Sequence, residues 1–391
     1  MTSGTRKISI LGSTGSIGCN TLDIISRQPG VFEVAALASR SDWETIAKQA
    51  KLFQPAFVSI YEEDSASRVR DLLKGSGIEV LSGVDGILEA ASTDKADVIV
   101  SAIVGAAGVM PTYAAVEAGK IVALANKEAL VAAGKLITEE ARRTGARIIP
   151  VDSEHSAVFQ SLMGHDRSAV RKVILTASGG PFFGKGKDVL SKVTPEMALD
   201  HPRWKMGPKV TVDSATMMNK GLEIIEARWI FDIPAKRIEV LIHPQSIVHS
   251  MVEYLDGSVL AQMGITDMRI PIAFALSYPD RLDLALDPLD LAAVGRLDFH
   301  KPDQELFPCL ALAYEALESG NGIPAVMNAA NEIAVESFLS GDLPFTGIAD
   351  VVRTVMDDPP DFDDQTLSGI LRGDQLARTA ARRVIDLHGE N

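Results

Sequence analysis

The stretch Lys7–Gly18, KISILGSTGSIG, sets the class of fold to expect. Lys7 to Leu11 alternates into a short buried strand, Gly12, Gly15 and Gly18 follow, and Ile17 to Arg27 is an amphipathic helical stretch. Strand, glycine turn and helix in this order let the backbone approach a pyrophosphate, whose charge is held by the free N–H groups of the helix start. The spacing is GxxGxxG rather than GxGxxG, and these glycines alone suit a plain structural turn equally well.

The next strand adds information. FEVAALA, Phe32 to Ala38, ends at Ser39, Arg40 and Ser41, where an NAD enzyme carries an acidic residue for the ribose 2′-hydroxyl. A guanidinium flanked by hydroxyls suits a 2′-phosphate, so NADP is favoured, although Asp42 offers a second route to the ribose. PAFVSI, ADVIVSAIVG and KIVALA continue the strand and helix alternation, which predicts a Rossmann-like, doubly wound parallel sheet for residues 1–150. Ligands of such sheets lie beyond the strand carboxyl ends, which draws attention to Asn126, Lys127 and Glu128. The same tripeptide also suits a helix cap.

Composition narrows the function. A chain of 391 residues exceeds one core and predicts two or three domains. Its formal charge of −14 repels phosphate backbones, excluding nucleic acid as the main partner. An anionic substrate then requires a few specifically placed cations. Cys19 and Cys309 cannot form a disulfide framework, the amino terminus lacks a secretory core, and no apolar run reaches the ~18 residues of a membrane span. A cytoplasmic protein without a membrane partner is expected.

The middle of the chain, 151–285, reads as an α/β catalytic domain. RIIPV ends in Asp152, Ser153, Glu154 and His155; these carboxylates either cap a helix or share a cation. Lys209 to Val212 reads as a strand, with Asp213 and Ser214 capping a helix from about Ala215 to Ile230. There Asn219, Glu223 and Glu226 form one polar stripe beside Lys220, either solvated with a Lys220 to Glu223 ion pair or lining a cleft. Oxygen donors from Asp152, Glu154 and Glu223, without cysteine neighbours, suit Mg²⁺ or Mn²⁺. Ser178, Gly179, Gly180 and Pro181 follow RKVILTA and suit a bare turn or an anion-binding one; with Ser214, Asn219 and Lys220, three segments offer the donors a phosphate monoester needs. His201 and Trp204, in HPRWKMG, belong to a lid over 194–208 or to a loop docked in the core. Three strands, Ile238 to His243, Ile247 to Tyr254 and Val259 to Met263, give a mostly antiparallel extension, in which His243 and His249, without an acidic partner at metal-ligand spacing, suit strand hydrogen bonding better than metal binding. A linker over 286–305 precedes a helical domain, 306–391, whose Asn328, Asn331 and Glu332 read as packing and helix-edge contacts.

GSTGSIG, ALANKE, PVDSEH, TASGGPF, HPRWKMG, VDSATMMNKGLEIIEA, HPQSIVHSMVEYLDGS and MNAANEIAV, in this order along nearly the whole chain, resemble the 1-deoxy-D-xylulose 5-phosphate reductoisomerase family. The resemblance implies NADPH- and divalent-metal-dependent retroaldol/aldol rearrangement of 1-deoxy-D-xylulose 5-phosphate and reduction to 2-C-methyl-D-erythritol 4-phosphate. It implies that Thr14, Gly15, Ser16 and Ile17 hold the NADPH diphosphate, that the 2′-phosphate lies near Arg40, and that Asn126, Glu128 and Gly207 contact cofactor. Lys127, Ser153, Ser178, His201, Trp204, Ser214, Asn219 and Lys220 would meet the phosphorylated sugar, and Asp152, Glu154 and Glu223 the metal. Glu226 would stand behind these ligands, and a homodimer contact would lie near the last three strands. Ser41 and Asp42 stand where many relatives carry Asn, and Phe183 where Arg often follows SGGPF. The competing readings are another NADP-dependent dehydrogenase and a non-catalytic NADP sensor. An acyl-enzyme version of the first needs a reactive cysteine in the crevice, which neither Cys19 nor Cys309 supplies by position.

Overall fold

The structure, a computed structural model, describes residues 4–204, 206–320 and 322–389. Contacts divide the chain into two compact units. One comprises residues up to Ala129, Ile137–Ser156 and Asp267–Asp287; the other comprises Leu130–Leu136, Ala157–Thr266 and residues from Pro288 onward.

The first unit is built on seven strands: β1 (Arg6–Leu11), β2 (Phe32–Ser39), β3 (Phe57–Ile60), β4 (Glu79–Ser82), β5 (Val98–Ser101), β6 (Ile121–Leu124) and β7 (Arg147–Pro150). They lie in the order β4-β3-β2-β1-β5-β6-β7, and every pairing is parallel. The strand order reverses between β1 and β5, the switch point at which such sheets bind ligands. Burial on both faces explains the near-continuous apolar runs of β1, where Ile8, Ile10 and Leu11 are inaccessible to solvent. The sequence reading passed over β4, because EVLS lies at the sheet edge, is only partly buried and lacks a clear period. Helix Arg269–Ser277, late in the chain, packs on helix Ser16–Arg27 and on β6 and β7, and Arg269 pairs with Asp23 at 3.3 Å. The expected catalytic segment 151–285 therefore contains a piece that returns to the parallel sheet.

The second unit holds β8 (Val170–Ala177), β9 (Ile238–Ile242), β10 (Val248–Tyr254) and β11 (Val259–Met263), in the order β11-β10-β8-β9. Only β8 and β9 run parallel, which agrees with a mostly antiparallel extension. Its core joins Val173 and Leu175 of β8 and Leu222, Ile225 and Phe231 of helix Met218–Phe231 to the carboxyl-terminal helices Pro308–Ser319, Ile323–Ser340, Gly347–Asp357 and Leu367–Gly389. The helical segment thus shares one core with the second sheet.

One element differs in kind from its reading. Lys209–Val212 is not a strand but part of helix Pro208–Ala215. Pro208 sits at the helix start, where its fixed φ is tolerated, and Lys209 pairs with Asp213 across one turn at 2.9 Å. Asp213 and Ser214 consequently lie in its last turn rather than capping the next helix, which begins at Met218 after Met217 adopts a left-handed φ of 65°. Four residues of alternating Lys, Val and Thr carry no period long enough to separate strand from helix.

Candidate active site

In the first unit the glycine turn is shaped by close backbone approach. Gly12 has φ +87°, and a Cβ there would come within 2.6 Å of the Ala102 carbonyl oxygen at the end of β5. A Cβ on Gly18 would strike the Gly12 and Ser13 backbone. Gly15 then opens helix Ser16–Arg27, whose first turn contains no acidic residue to compete with an anion. Thr14 Oγ1 lies 3.0 Å from Ser39 Oγ, which ties the turn to the end of β2.

Arg40 projects from that end with its side chain 82% exposed, Nε donating to Glu62 at 3.2 Å. Exposed pairs of this kind contribute little and yield readily to a better anion. Asp42 acts locally instead, its carboxylate accepting from Thr45 N at 3.1 Å and capping helix Trp43–Phe53. The acidic residue that clouded the NADP reading is therefore committed to its own helix.

Asn126, after β6, is buried and fully engaged. Its Oδ1 accepts from Ala129 N at 2.8 Å, capping helix Lys127–Thr144, and its Nδ2 donates to Ile103 O, Gly105 O and Glu128 Oε2 at 2.7, 3.0 and 3.0 Å. The capping reading of Asn126 describes its contacts. Lys127 reaches Asp152 beyond β7 with Nζ 3.1 Å from Oδ2, and Ser153 Oγ donates to Glu154 Oε2 at 2.5 Å. His155 Nδ1 also stands 3.4 Å from Asp152 Oδ2. The sequence reading left His155 without a role; its position three residues after Asp152 on helix Ser153–Leu162 was the available signal.

In the second unit the turn after β8 meets the end of helix Pro208–Ala215. A Cβ on Gly180, whose φ is +66°, would come within 2.8 Å of the Ser214 carbonyl. Ser178 Oγ lies 2.9 Å from His201 Nε2. His201 Nδ1 accepts from the backbone N–H of Arg203 and Trp204 at 3.2 and 2.9 Å, so the ring proton sits on Nε2 and is donated to Ser178. Burial holds the imidazole below its ordinary value of 6.5, keeping it neutral. Trp204 is half-buried, its ring 6.4 Å from that of His249. Lys205, within the expected lid, lies outside the described residues.

Glu223 has no solvent exposure and accepts from Asn219 Nδ2 at 2.6 Å and from the Lys220 ammonium. A buried carboxylate is retained only where cations or donors meet it, so the Lys220 to Glu223 pair belongs to a buried site and not to a solvated stripe. Phe183, the aromatic residue in place of Arg, folds onto Gly179 and packs 5.2 Å from the His300 ring. His243 is buried; its backbone N–H donates to Ala177 O at the end of β8 at 2.7 Å, extending the strand pairing, and its Nδ1 lies 2.8 Å from Asp298 O. Neither cysteine suits an acyl-enzyme nucleophile. Burial pushes the Cys309 thiol up to about 12, and burial with the nearby Asp42 charge raises Cys19.

Known proteins bear on these two sets of residues. Three family models match in succession: 1-deoxy-D-xylulose 5-phosphate reductoisomerase over residues 8–134, its C-terminal domain over 148–231, and a DXP reductoisomerase C-terminal domain over 263–380. A 1-deoxy-D-xylulose 5-phosphate reductoisomerase from Geobacter metallireducens is 53% identical over 98% of this chain and 100% of its own length. The chain belongs to the 1-deoxy-D-xylulose 5-phosphate reductoisomerase family. Among solved reductoisomerases, that of Zymomonas mobilis in complex with NADPH superimposes with a TM-score of 0.92 at 44% identity, covering 97% of this chain and 99% of that one. A second, in complex with NADPH, fosmidomycin and magnesium, gives 0.94 at 42% identity, covering 98% of each. The reductoisomerase architecture thus accounts for both sheets and the carboxyl-terminal helices.

Proposed function

We propose that this chain converts 1-deoxy-D-xylulose 5-phosphate to 2-C-methyl-D-erythritol 4-phosphate, using NADPH and a divalent cation. The observation that carries this reading is the match to reductoisomerases along the full chain, at 53% identity to one of them. The residues present fit both groups. A glycine cradle that a Cβ would fill suits a pyrophosphate, and Arg40 with Ser39 suits a 2′-phosphate. The oxygen-only donors Asp152, Glu154 and Glu223 suit Mg²⁺, with Mn²⁺ as the alternative.

When bound, the cation supplies Lewis acidity for carbon–carbon cleavage and re-addition, and the dihydronicotinamide supplies hydride to the resulting aldehyde. The chain's own residues do the remainder. Thr14, Gly15, Ser16 and Ile17 bind the diphosphate, while Asn126 fixes the start of its helix and so the placement of Glu128 and Lys127. The Lys127 ammonium stabilises negative charge developing on the substrate oxygens, and Ser153 orients a hydroxyl. Ser178, Ser214, Asn219 and Lys220 anchor the phosphate, a remote group whose binding energy is available for positioning. His201 and Trp204 form a lid that excludes water, and Gly207 contacts the cofactor as it closes.

We further infer a cytoplasmic homodimer. Edge strand β11, which exposes Val259 and Leu260, supports a subunit contact there. Among the described residues no helix is long and apolar enough to cross a membrane.

The test is NADPH oxidation followed with 1-deoxy-D-xylulose 5-phosphate, with and without Mg²⁺ or Mn²⁺. Metal-dependent oxidation with formation of the branched polyol phosphate is expected. NADPH binding without turnover would leave the sensor reading standing.

A further inference from the structure

Asn331 reads from sequence as a packing residue, yet its surroundings are not those of one. It lies on helix Ile323–Ser340 with no solvent exposure, and its Nδ2 donates to Asp213 Oδ1 at 2.8 Å. Its own carbonyl oxygen is buried without a hydrogen-bond partner among the described residues. Leucine would fill similar space and leave no acceptor unsatisfied, so an asparagine here is explained by what its amide holds. It holds a carboxylate that is itself hidden: Asp213 is 1% exposed and receives Lys209 Nζ at 2.9 Å on its other oxygen.

Asp213 stands immediately before Ser214 in a helix of eight residues, too short to fix its own axial position. The carbonyl of Ser214 is the surface on which the Gly180 backbone rests, and the chain leaves this helix through Met217, in left-handed conformation, toward Asn219 and Lys220. A small slide or rotation of the helix therefore moves the Ser214 hydroxyl, the Ser178 turn and the start of the next helix together.

We propose that Asn331 and Asp213 are positioning residues for the phosphate pocket, the amide–carboxylate hydrogen bond anchoring helix Pro208–Ala215 to the helical core so that Ser178, Ser214, Asn219 and Lys220 keep one spacing. This rests on the assignment of those four residues to the substrate phosphate. The packing of the pocket's elements against a helix that contributes no ligand gives the reading its mechanism: Asn331 acts without touching substrate.

The experiment compares Asn331→Leu and Lys209→Met with the unmodified chain, using inorganic phosphate as the probe. Titration calorimetry gives the phosphate Kd, steady-state kinetics give KM and kcat for the phosphorylated ketose, and fluorescence gives the NADPH Kd. Asn331→Leu is expected to raise the phosphate Kd and the substrate KM in parallel, each by about tenfold, as loss of a hydrogen bond to a charged group implies, while the NADPH Kd stays unchanged. Lys209→Met, which removes the ammonium from the other Asp213 oxygen, should show the same pattern, with a retained cooperative thermal transition reporting that the variant is folded. An unchanged phosphate Kd in both variants, or a parallel rise in the NADPH Kd, would overturn the proposal. Phosphate titration reports without turnover, so inactivity of the unmodified chain refutes the reaction while leaving this inference to be decided separately.

Discussion

At the scale of single residues, three side chains carry separable predictions. Arg40 is exposed, and its partner Glu62 holds it weakly, so its value lies in what it offers a 2′-phosphate. Arg40→Ser should weaken NADPH binding by roughly tenfold or more, the worth of a charge-assisted hydrogen bond, and leave NADH binding unchanged; competition titrations with the two nucleotides check this. Glu223→Gln keeps the shape of the side chain but removes its charge. It should lower metal-dependent turnover by about a hundredfold or more with NADPH binding intact, since a neutral amide is a poor ligand for a hard cation. His201 supplies a pH signature. Its folded value is lowered below 6.5 by burial, so within the window from 6.5 down to that lowered value the unfolded chain holds more protons and stability rises with pH. Protonation would also put hydrogen on Nδ1, against the N–H groups of Arg203 and Trp204 that it now receives. With Trp43 and Trp229 replaced by Phe, the emission of Trp204 should show an acid transition below pH 6.5 that His201→Phe abolishes.

At the scale of elements, caps and turns separate the structural from the functional. Asp42 caps helix Trp43–Phe53, so Asp42→Ala should cost about 1 kcal/mol in urea unfolding without altering the preference between NADPH and NADH. A shift in that preference would show that its carboxylate reaches the ribose after all. Gly12 is the opposite case. Its φ of +87° and the nearby Ala102 carbonyl leave no room for a methyl group, so Gly12→Ala should distort the turn and abolish measurable NADPH affinity. Most helices and strands were legible from period and composition. Helix Pro208–Ala215 was not, since its apolar positions are decided by which neighbours cover them.

At the scale of the whole molecule, the carboxyl-terminal helices are held by a buried charge cluster. Arg378 of helix Leu367–Gly389 pairs with Glu332 at 2.5 Å and Asp374 at 2.7 Å, joining it to helix Ile323–Ser340. Arg378→Met should cost about 3 kcal/mol, because it removes the cation from two largely buried carboxylates; a lower thermal midpoint with near-normal substrate KM is the expected record. The amino-acid order by itself determined the parallel sheet and the glycine turn, because each depends on spacing along a few adjacent residues. Which of two roles a polar side chain plays was decided only in three dimensions. Asp42 and Asn126 became caps, Glu223 became a buried acceptor and Asn331 the partner of Asp213, 118 positions away along the chain. A hydrogen-bonding group takes whatever partner burial leaves it, and burial is set by packing between segments that sequence spacing does not relate.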